Sequence, residues 1–413
     1  MRVARALQVV RERRQIRRGP ADFVHVAVQS LRCLPHRSAT GNLHSMSIRN
    51  VLLDLHLWAG MAASVFLALL GLTGSLIVFE DEIDSWLNPR PHIQPGPERL
   101  SLNALTTRLE SAHPGYEVAG FTFPSRNDRP LGAFLRSEKL RKNIGVDINP
   151  YTAEVFPVKR QQNNFTGNVH QLHTHLLMGR AGSTVMAFAA LFLLFLAITG
   201  LILWWPRKVF TVRWSGRGTR LNFDLHNALG IYSSFFLLIF ALTGVVIHWE
   251  NPASNLIRYV TRAPVEAPMA DASPPVVGAV SISADEALAI AERAAPGARP
   301  TFMQLGSEGP MRIAMKFPED HTPAGRTIVF LDRYTGNILS LKNTRTASIA
   351  HKYPRMWNRE IHTGDLFGWP TRLLACLSSL MLPVMAITGP LIWWNRRRKG
   401  VRQSLNDGSL TAE

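Results

Sequence analysis

The chain has 413 residues and a formal net charge of +17. Such a charge could indicate nucleic-acid binding, but the basic residues cluster in two tails and one short loop that lie between or beyond four long apolar runs. Each run exceeds the ~20 residues needed to cross a bilayer. Cys33 and Cys376 are the only cysteines, which excludes a disulfide framework and a thiolate metal site. The sequence therefore predicts a membrane protein that does not bind nucleic acid.

The positive charge also predicts an orientation. Its three clusters are the segments that four spans would leave on one side of a membrane, and the positive-inside rule assigns that side to the cytoplasm. The sequence leaves open whether translation starts at Met1 or at Met46. The predicted organisation in chain order is a basic cytoplasmic tail (1–50), a span (51–79), an outer domain (80–181), a span (182–205), a cytoplasmic loop (206–225), a span (226–249), an outer domain (250–368), a span (369–394) and a cytoplasmic tail (395–413).

The two outer segments repeat one order of predicted elements. Each has a helix (101–112 and 283–295) followed by three strands (118–123, 131–135, 144–148; then 301–305, 311–317, 327–331). Ser283 and Glu286 form a predicted capping box. The predicted fold class is a membrane α-helical protein: a four-helix transmembrane bundle that arose by internal duplication, with two small α+β domains in the periplasm.

Histidines mark both halves at matching spacing. Gly74 follows His56 by 18 residues (74 − 56), as Gly244 follows His226 (244 − 226). His173 precedes Gly200 by 27 residues (200 − 173), as His362 precedes Gly389 (389 − 362). Four histidines that recur in this way at the ends of membrane helices predict ligands of a metal cofactor.

His56 and His226 lie near the cytoplasmic ends of the first and third spans. At 3.6 residues per turn, the glycines that follow them return to the same helix face, and we expect them to leave a groove in which a flat macrocycle can lie. Close helix packing is the other explanation for these glycines. The predicted groove residues are Gly60 and Gly74 for His56, and Gly230 and Gly244 for His226.

The outer ligands are less sharply defined by the sequence. His173 and His362 obey the repeat and rank first. His170 and His175 lie beside the first of them. His248 breaks the repeat but lies at the outer end of the third span, so it remains a further candidate for ligation or for a hydrogen bond to the cofactor.

Haem is the predicted cofactor. Imidazole suits iron, whereas structural zinc prefers four clustered ligands, and these histidines divide between opposite membrane surfaces. Two axial histidines fill the coordination of haem iron and favour electron transfer over gas binding. We therefore predict two haem b groups.

Several motifs resemble those of the PepSY-associated transmembrane helix proteins. The resemblance covers residues 47–399, and within that family the chain is most similar to the periplasmic ferrisiderophore reductases of the bacterial inner membrane. It implies a di-haem core, PepSY-like domains in the periplasm, inner ligands at His56 and His226, and outer ligands at His173 and His362. The motifs are Asp54-Leu55-His56-Leu57-Trp58-Ala59-Gly60, Thr73-Gly74, Thr199-Gly200, Thr243-Gly244, Thr388-Gly389 and a Tyr-Thr turn after an outer strand in each half.

The resemblance implies an oxidoreductase that reduces a ferric siderophore, or another ferric chelate, and so releases Fe²⁺ in the periplasm. No dinucleotide fingerprint is visible, so we expect a quinol or a separate reductase to donate electrons. Two rivals remain: a haem-free anchor that presents PepSY modules to other proteins such as peptidases, and a transporter of iron chelates or haem.

Overall fold

The computed structural model describes residues 47–157, 165–216, 218–265, 269–273, 280–305, 309–322 and 324–410, with side chains up to residue 398. The chain divides into two units, Met1–Val51 and Leu52–Glu413. Residues 1–46 of the predicted N-terminal tail and the question of the start codon lie outside the described residues, whereas residues 48–50 belong to the first helix rather than to the tail. The helices in chain order are α1 (Ile48–Ile77), α2 (Glu80–Leu87), α3 (Leu102–Ala112), α4 (Phe165–His175), α5 (Gly179–Trp204), α6 (Thr219–His248), α7 (Glu250–Thr261), α8 (Ala284–Ala294), α9 (Ile349–Lys352), α10 (Asn358–Thr363) and α11 (Trp369–Leu410). The strands are β1 (Glu117–Thr122), β2 (Leu131–Ser137), β3 (Lys142–Ile148), β4 (Arg299–Gln304), β5 (Met311–Lys316), β6 (Thr327–Leu331) and β7 (Ile338–Lys342).

Four of the described helices are long and apolar enough to cross a membrane: α1, α5, α6 and the part of α11 up to Arg398. They are the four predicted spans. Leu67, Leu193, Leu237 and Leu382, one from each helix, meet in a common buried cluster. At Gly71 an added Cβ would come within 2.5 Å of the Ser379 carbonyl oxygen, so α1 and α11 touch along their backbones. Such close approach is the usual basis of helix association in lipid.

The strands form one antiparallel sheet, ordered β3-β2-β1-β4-β5-β6-β7. The expectation of two separate small domains is therefore wrong: the two predicted sheets join where β1 pairs with β4. Gly120 explains the junction, because an added Cβ there would clash with the carbonyl oxygen of Met303. The joined edges of β1 and β4 satisfy each other's backbone groups.

Helices α3 and α8 cover one face of this sheet and share a single core with it. Leu105 and Leu109 of α3 and Ala287 of α8 are almost fully buried there. The predicted capping box of α8, Ser283 with Glu286, is present. The two halves are also joined at the other helix start, since the Asp285 carboxylate accepts hydrogen bonds from the first backbone N–H groups of α3.

Matching turns follow β3 and β6. The turn after β6 closes on Asp332, whose carboxylate accepts hydrogen bonds from the backbone N–H groups of Ser273, Tyr334 and Thr335. Desolvation raises the pKa of this carboxyl, but the backbone hydrogen bonds from Thr335 and Ser273 outweigh it, so the pKa lies well below its usual range. In the first half Asn149 takes this place. The strand after the second turn, β7, was not predicted.

Candidate functional site

Each of the four predicted ligands hydrogen-bonds through Nδ1 to a threonine hydroxyl on another helix. Each threonine belongs to one of the Thr-Gly motifs. The four Nδ1–Oγ1 pairs are His56–Thr199 at 2.8 Å, His173–Thr73 at 2.9 Å, His226–Thr388 at 2.9 Å and His362–Thr243 at 2.8 Å. Within each half, the inner histidine thus bonds the second span and the outer histidine bonds the first.

The threonines also determine which nitrogen of each imidazole carries the proton. Each hydroxyl lies 2.6–2.8 Å from the backbone carbonyl oxygen four residues earlier in its own helix. A hydroxyl has one hydrogen to donate, and that hydrogen serves the carbonyl. The hydroxyl oxygen therefore accepts from Nδ1–H, which leaves the lone pair of Nε2 free. All four imidazoles are in the tautomer that can bind a metal through Nε2.

The glycine beside each threonine makes room for the ring. An added Cβ would lie 3.2 Å from the His173 Cε1 atom at Gly74, 3.4 Å from that of His362 at Gly244, and 3.5 Å from that of His226 at Gly389. At Gly200 the corresponding distance to His56 is 3.4 Å. The separation at Gly74 is tighter than ordinary packing, so a larger residue there would push the ring, whereas the other three are close to ordinary van der Waals contact.

The outer histidines face each other across the two halves. The ring centroids of His173 and His362 lie 6.5 Å apart. Two metal–imidazole bonds of about 2.0–2.1 Å, with about 1.2 Å from each nitrogen to its ring centre, would give a separation of about 6.4 Å. The observed separation of the two rings is therefore close to that expected for two imidazoles bound to one metal ion. His173 comes from α4 and His362 from α10, so the two halves contribute equally.

Both outer histidines stay neutral at neutral pH. Desolvation lowers the pKa of His173 to about 3, with help from His362 and His170. Desolvation and the charge of Arg359 lower the pKa of His362 to about 4. A metal ligand must present the neutral imidazole, so this environment favours ligation.

The inner histidines, His56 and His226, hold matching positions in the two halves. Asn222 contacts Thr388, the threonine that bonds His226: its Nδ2 donates to the Thr388 carbonyl oxygen at 2.9 Å. Asp224 is buried and pairs with Arg220 at 3.1 Å. It lies inside α6, which begins at Thr219.

The other histidines and glycines predicted for the site make contacts outside the four threonine–histidine bonds. His248 hydrogen-bonds Ser183 at 3.1 Å, and His170 pairs with Glu80 at 2.8 Å. Gly60 and Gly230 are packing contacts: added Cβ atoms would meet Leu196 at 3.7 Å and Met385 at 3.1 Å. Gly74 and Gly244, predicted as groove residues for the inner histidines, lie instead against the outer ones.

The role of the threonines was not predicted from the sequence. The Thr-Gly motifs supported only the family resemblance, and the predicted groove residues were glycines on each histidine's own helix. One signal could have revealed the partnership: the motif occurs once in every span, so the four copies within the spans match the four repeated histidines in number.

The segment before His362 is held tightly. Residues 353–357 form a π-helical turn, a feature often found at functional sites. Asn358 follows it, and its Nδ2 donates to the Thr243 carbonyl oxygen at 3.0 Å. Nearby, Arg372 binds the Glu82 carboxylate and the Val78 carbonyl oxygen.

Among the described residues no group of three or more His, Cys, Asp or Glu side chains gathers as a metal cluster. A profile for the family described as "PepSY-associated TM region" matches residues 53–396. No curated protein matches the chain.

Proposed function

The chain belongs to the family of proteins with a PepSY-associated transmembrane region, and from this premise we propose that it is a di-haem electron-transfer protein. In this proposal it carries electrons across a bacterial inner membrane and reduces a ferric siderophore, or another ferric chelate, in the periplasm. His56 with His226 would hold the inner haem, and His173 with His362 the outer one.

One observation carries the proposal: four imidazoles are each fixed by a threonine so that Nε2 is free, and the outer two are spaced for one iron. Haem b bound by two imidazoles supplies one-electron transfer without an open coordination position for a gas. The protein's own residues orient the ligands, keep them neutral and surround them with apolar helices. Reduction of the chelate releases iron because siderophores hold Fe²⁺ far more weakly than Fe³⁺.

The same arrangement supports an internal duplication. In each half the inner histidine bonds the second span and the outer histidine the first, at matching positions. We propose that both termini lie in the cytoplasm and that the seven-stranded sheet lies in the periplasm, as the distribution of basic residues indicates. The electron donor would be a quinol or a separate reductase.

Purification from haem-replete cells tests the cofactor. We expect a Soret band, sharp reduced α-bands and low-spin bis-imidazole electron paramagnetic resonance signals. His362→Ala should remove about half of the haem, and so should His226→Ala, because each variant opens one site and spares the other. His248→Ala is the matched control and should retain both haems. A colourless wild-type protein would favour the haem-free anchor.

The acceptor is tested separately. Reduced protein mixed with ferric siderophores in a stopped-flow instrument should be reoxidised, with ferrous iron captured by a chromophoric chelator. If none of several ferric chelates reoxidises the haem, the siderophore assignment fails while electron transfer remains.

A further inference from the structure

Helix α7 has its polar and apolar faces reversed relative to a helix on a water-soluble protein. It begins at Glu250, directly after the membrane span α6, and the two helices break at Trp249. One face is polar and turned toward the protein, and the other is apolar and turned away from it.

The polar face of α7 binds a single side chain, that of Arg355. Arg355 binds the Glu250 carboxylate at 2.8 Å, the Asn251 amide oxygen at 3.0 Å and the Ser254 hydroxyl at 3.2 Å. Residues 250, 251 and 254 lie on the same side of the helix at 3.6 residues per turn. Three contacts from one guanidinium fix both the position and the rotation of α7.

The opposite face is apolar and uncovered. Pro252, Leu256, Tyr259 and Val260 form one stripe at helical spacing. Leu256 is 64%, Tyr259 84% and Val260 71% exposed. A water-facing helix would carry polar residues here, so this stripe must be covered by something other than the described chain.

We propose that α7 lies in the membrane interface and that its apolar stripe is covered by lipid. The stripe belongs to a helix that follows the membrane span α6 directly in the chain, with only Trp249 between the two helices. Tyrosine and tryptophan are the residues enriched at this depth, and interfacial helices bury such a stripe in the headgroup boundary. This inference does not depend on the proposed function.

The contact has a consequence for the outer site. Arg355 belongs to the π-helical turn that leads into α10, and α10 carries His362. The lipid surface thereby fixes the segment that positions an outer imidazole, through α7 and one arginine. In the first half α2 follows α1 in the same way, and Glu80 of α2 pairs with His170 of α4, the helix that carries His173.

Spin labels test the lipid contact. Single cysteines replace Leu256 or Val260 in a background with Cys33→Ser and Cys376→Ser, in nanodiscs of phosphatidylethanolamine and phosphatidylglycerol. Val65→Cys on α1 is the lipid reference and Thr107→Cys on α3 the water reference, since both positions are exposed. We expect the ratio of oxygen to nickel-chelate accessibility at both α7 labels to exceed that at Thr107 several-fold. A ratio equal to that at Thr107, or a label shielded from both reagents as a protein partner would shield it, overturns the proposal.

Hydrogen exchange tests the coupling. Arg355→Leu removes the three contacts and should speed amide exchange in residues 353–363 several-fold. Arg345→Leu, which loses a surface pair with Glu319 and a stacking contact on Phe317 but no contact with α7, is the control and should leave that exchange unchanged. Unchanged exchange in Arg355→Leu would refute the link between α7 and the His362 segment.

Discussion

The hydroxyl of Thr243 offers the sharpest test of the site. Thr243→Val keeps the size and shape of the side chain but removes the acceptor that lies 2.8 Å from His362 Nδ1. Thr243 is buried, so water cannot easily replace the lost partner. An unsatisfied buried donor costs about 1–3 kcal/mol, which weakens haem binding about 5- to 150-fold, since about 1.4 kcal/mol corresponds to a factor of ten.

Transfer of haem to an excess of apo-globin measures this loss, and spectroelectrochemistry adds a readout that a purely structural effect would not give. A hydrogen bond from Nδ1–H makes the imidazole a more basic ligand. Its loss should therefore raise the reduction potential of the outer haem and leave that of the inner haem unchanged. Thr243→Ser should restore both properties.

Ser233→Ala is the matched control. Ser233 is buried on the same helix, and its hydroxyl bonds only to backbone carbonyl oxygens of that helix. It should change neither affinity nor potential. If Thr243→Val bound haem as tightly as the wild type and at the same potential, the assignment of the proton to Nδ1 by threonine would be refuted.

Three further changes test other parts of the structure. Gly74→Ala places a Cβ 3.2 Å from the His173 ring and should weaken the outer haem several-fold in the transfer assay, whereas Gly60→Ala meets only an ordinary contact and should leave haem binding intact. The depressed pKa of Asp332 stabilises the fold above the unfolded-state value of about 3.9, and this stabilisation is lost as the pH falls. Asp332→Asn should therefore lower the melting temperature at neutral pH and weaken its decrease at acid pH. An unchanged decrease of the melting temperature at acid pH would contradict this role of Asp332. Arg372→Lys cannot bind a carboxylate through two nitrogens, and we expect a destabilisation of about 1–3 kcal/mol in thermal melts, with wild-type melting as the contrary result.

Local patterns predicted the elements that depend on local physics. Apolar run length identified the four spans, and the capping box at Ser283 identified the start of α8. The single sheet was not predictable in this way. It depends on Gly120 meeting Met303, more than 180 residues away (303 − 120 = 183), and no local pattern reports that a strand edge will find a partner.

Local patterns were also insufficient to predict which residues meet at the histidine site. Spacing revealed the four histidines because a repeat is visible along the chain. The Thr73–His173 bond was hidden because it joins residues 100 apart, on helices whose relative rotation the sequence leaves undetermined. Gly74 was therefore assigned to the histidine of its own helix, although in three dimensions it serves another.

The threonine–histidine bonds and the outer imidazole pair differ in which halves of the chain they join, and this difference has a consequence for biogenesis. Every threonine–histidine bond stays within one half of the chain, whereas the outer imidazole pair forms between halves. During synthesis the first helical hairpin can thus orient its own donors before the second leaves the ribosome. If the outer pair holds a haem as proposed, loading of that cofactor would wait for the second hairpin, and capture of the porphyrin would act as a final check that both hairpins have been inserted and have found each other.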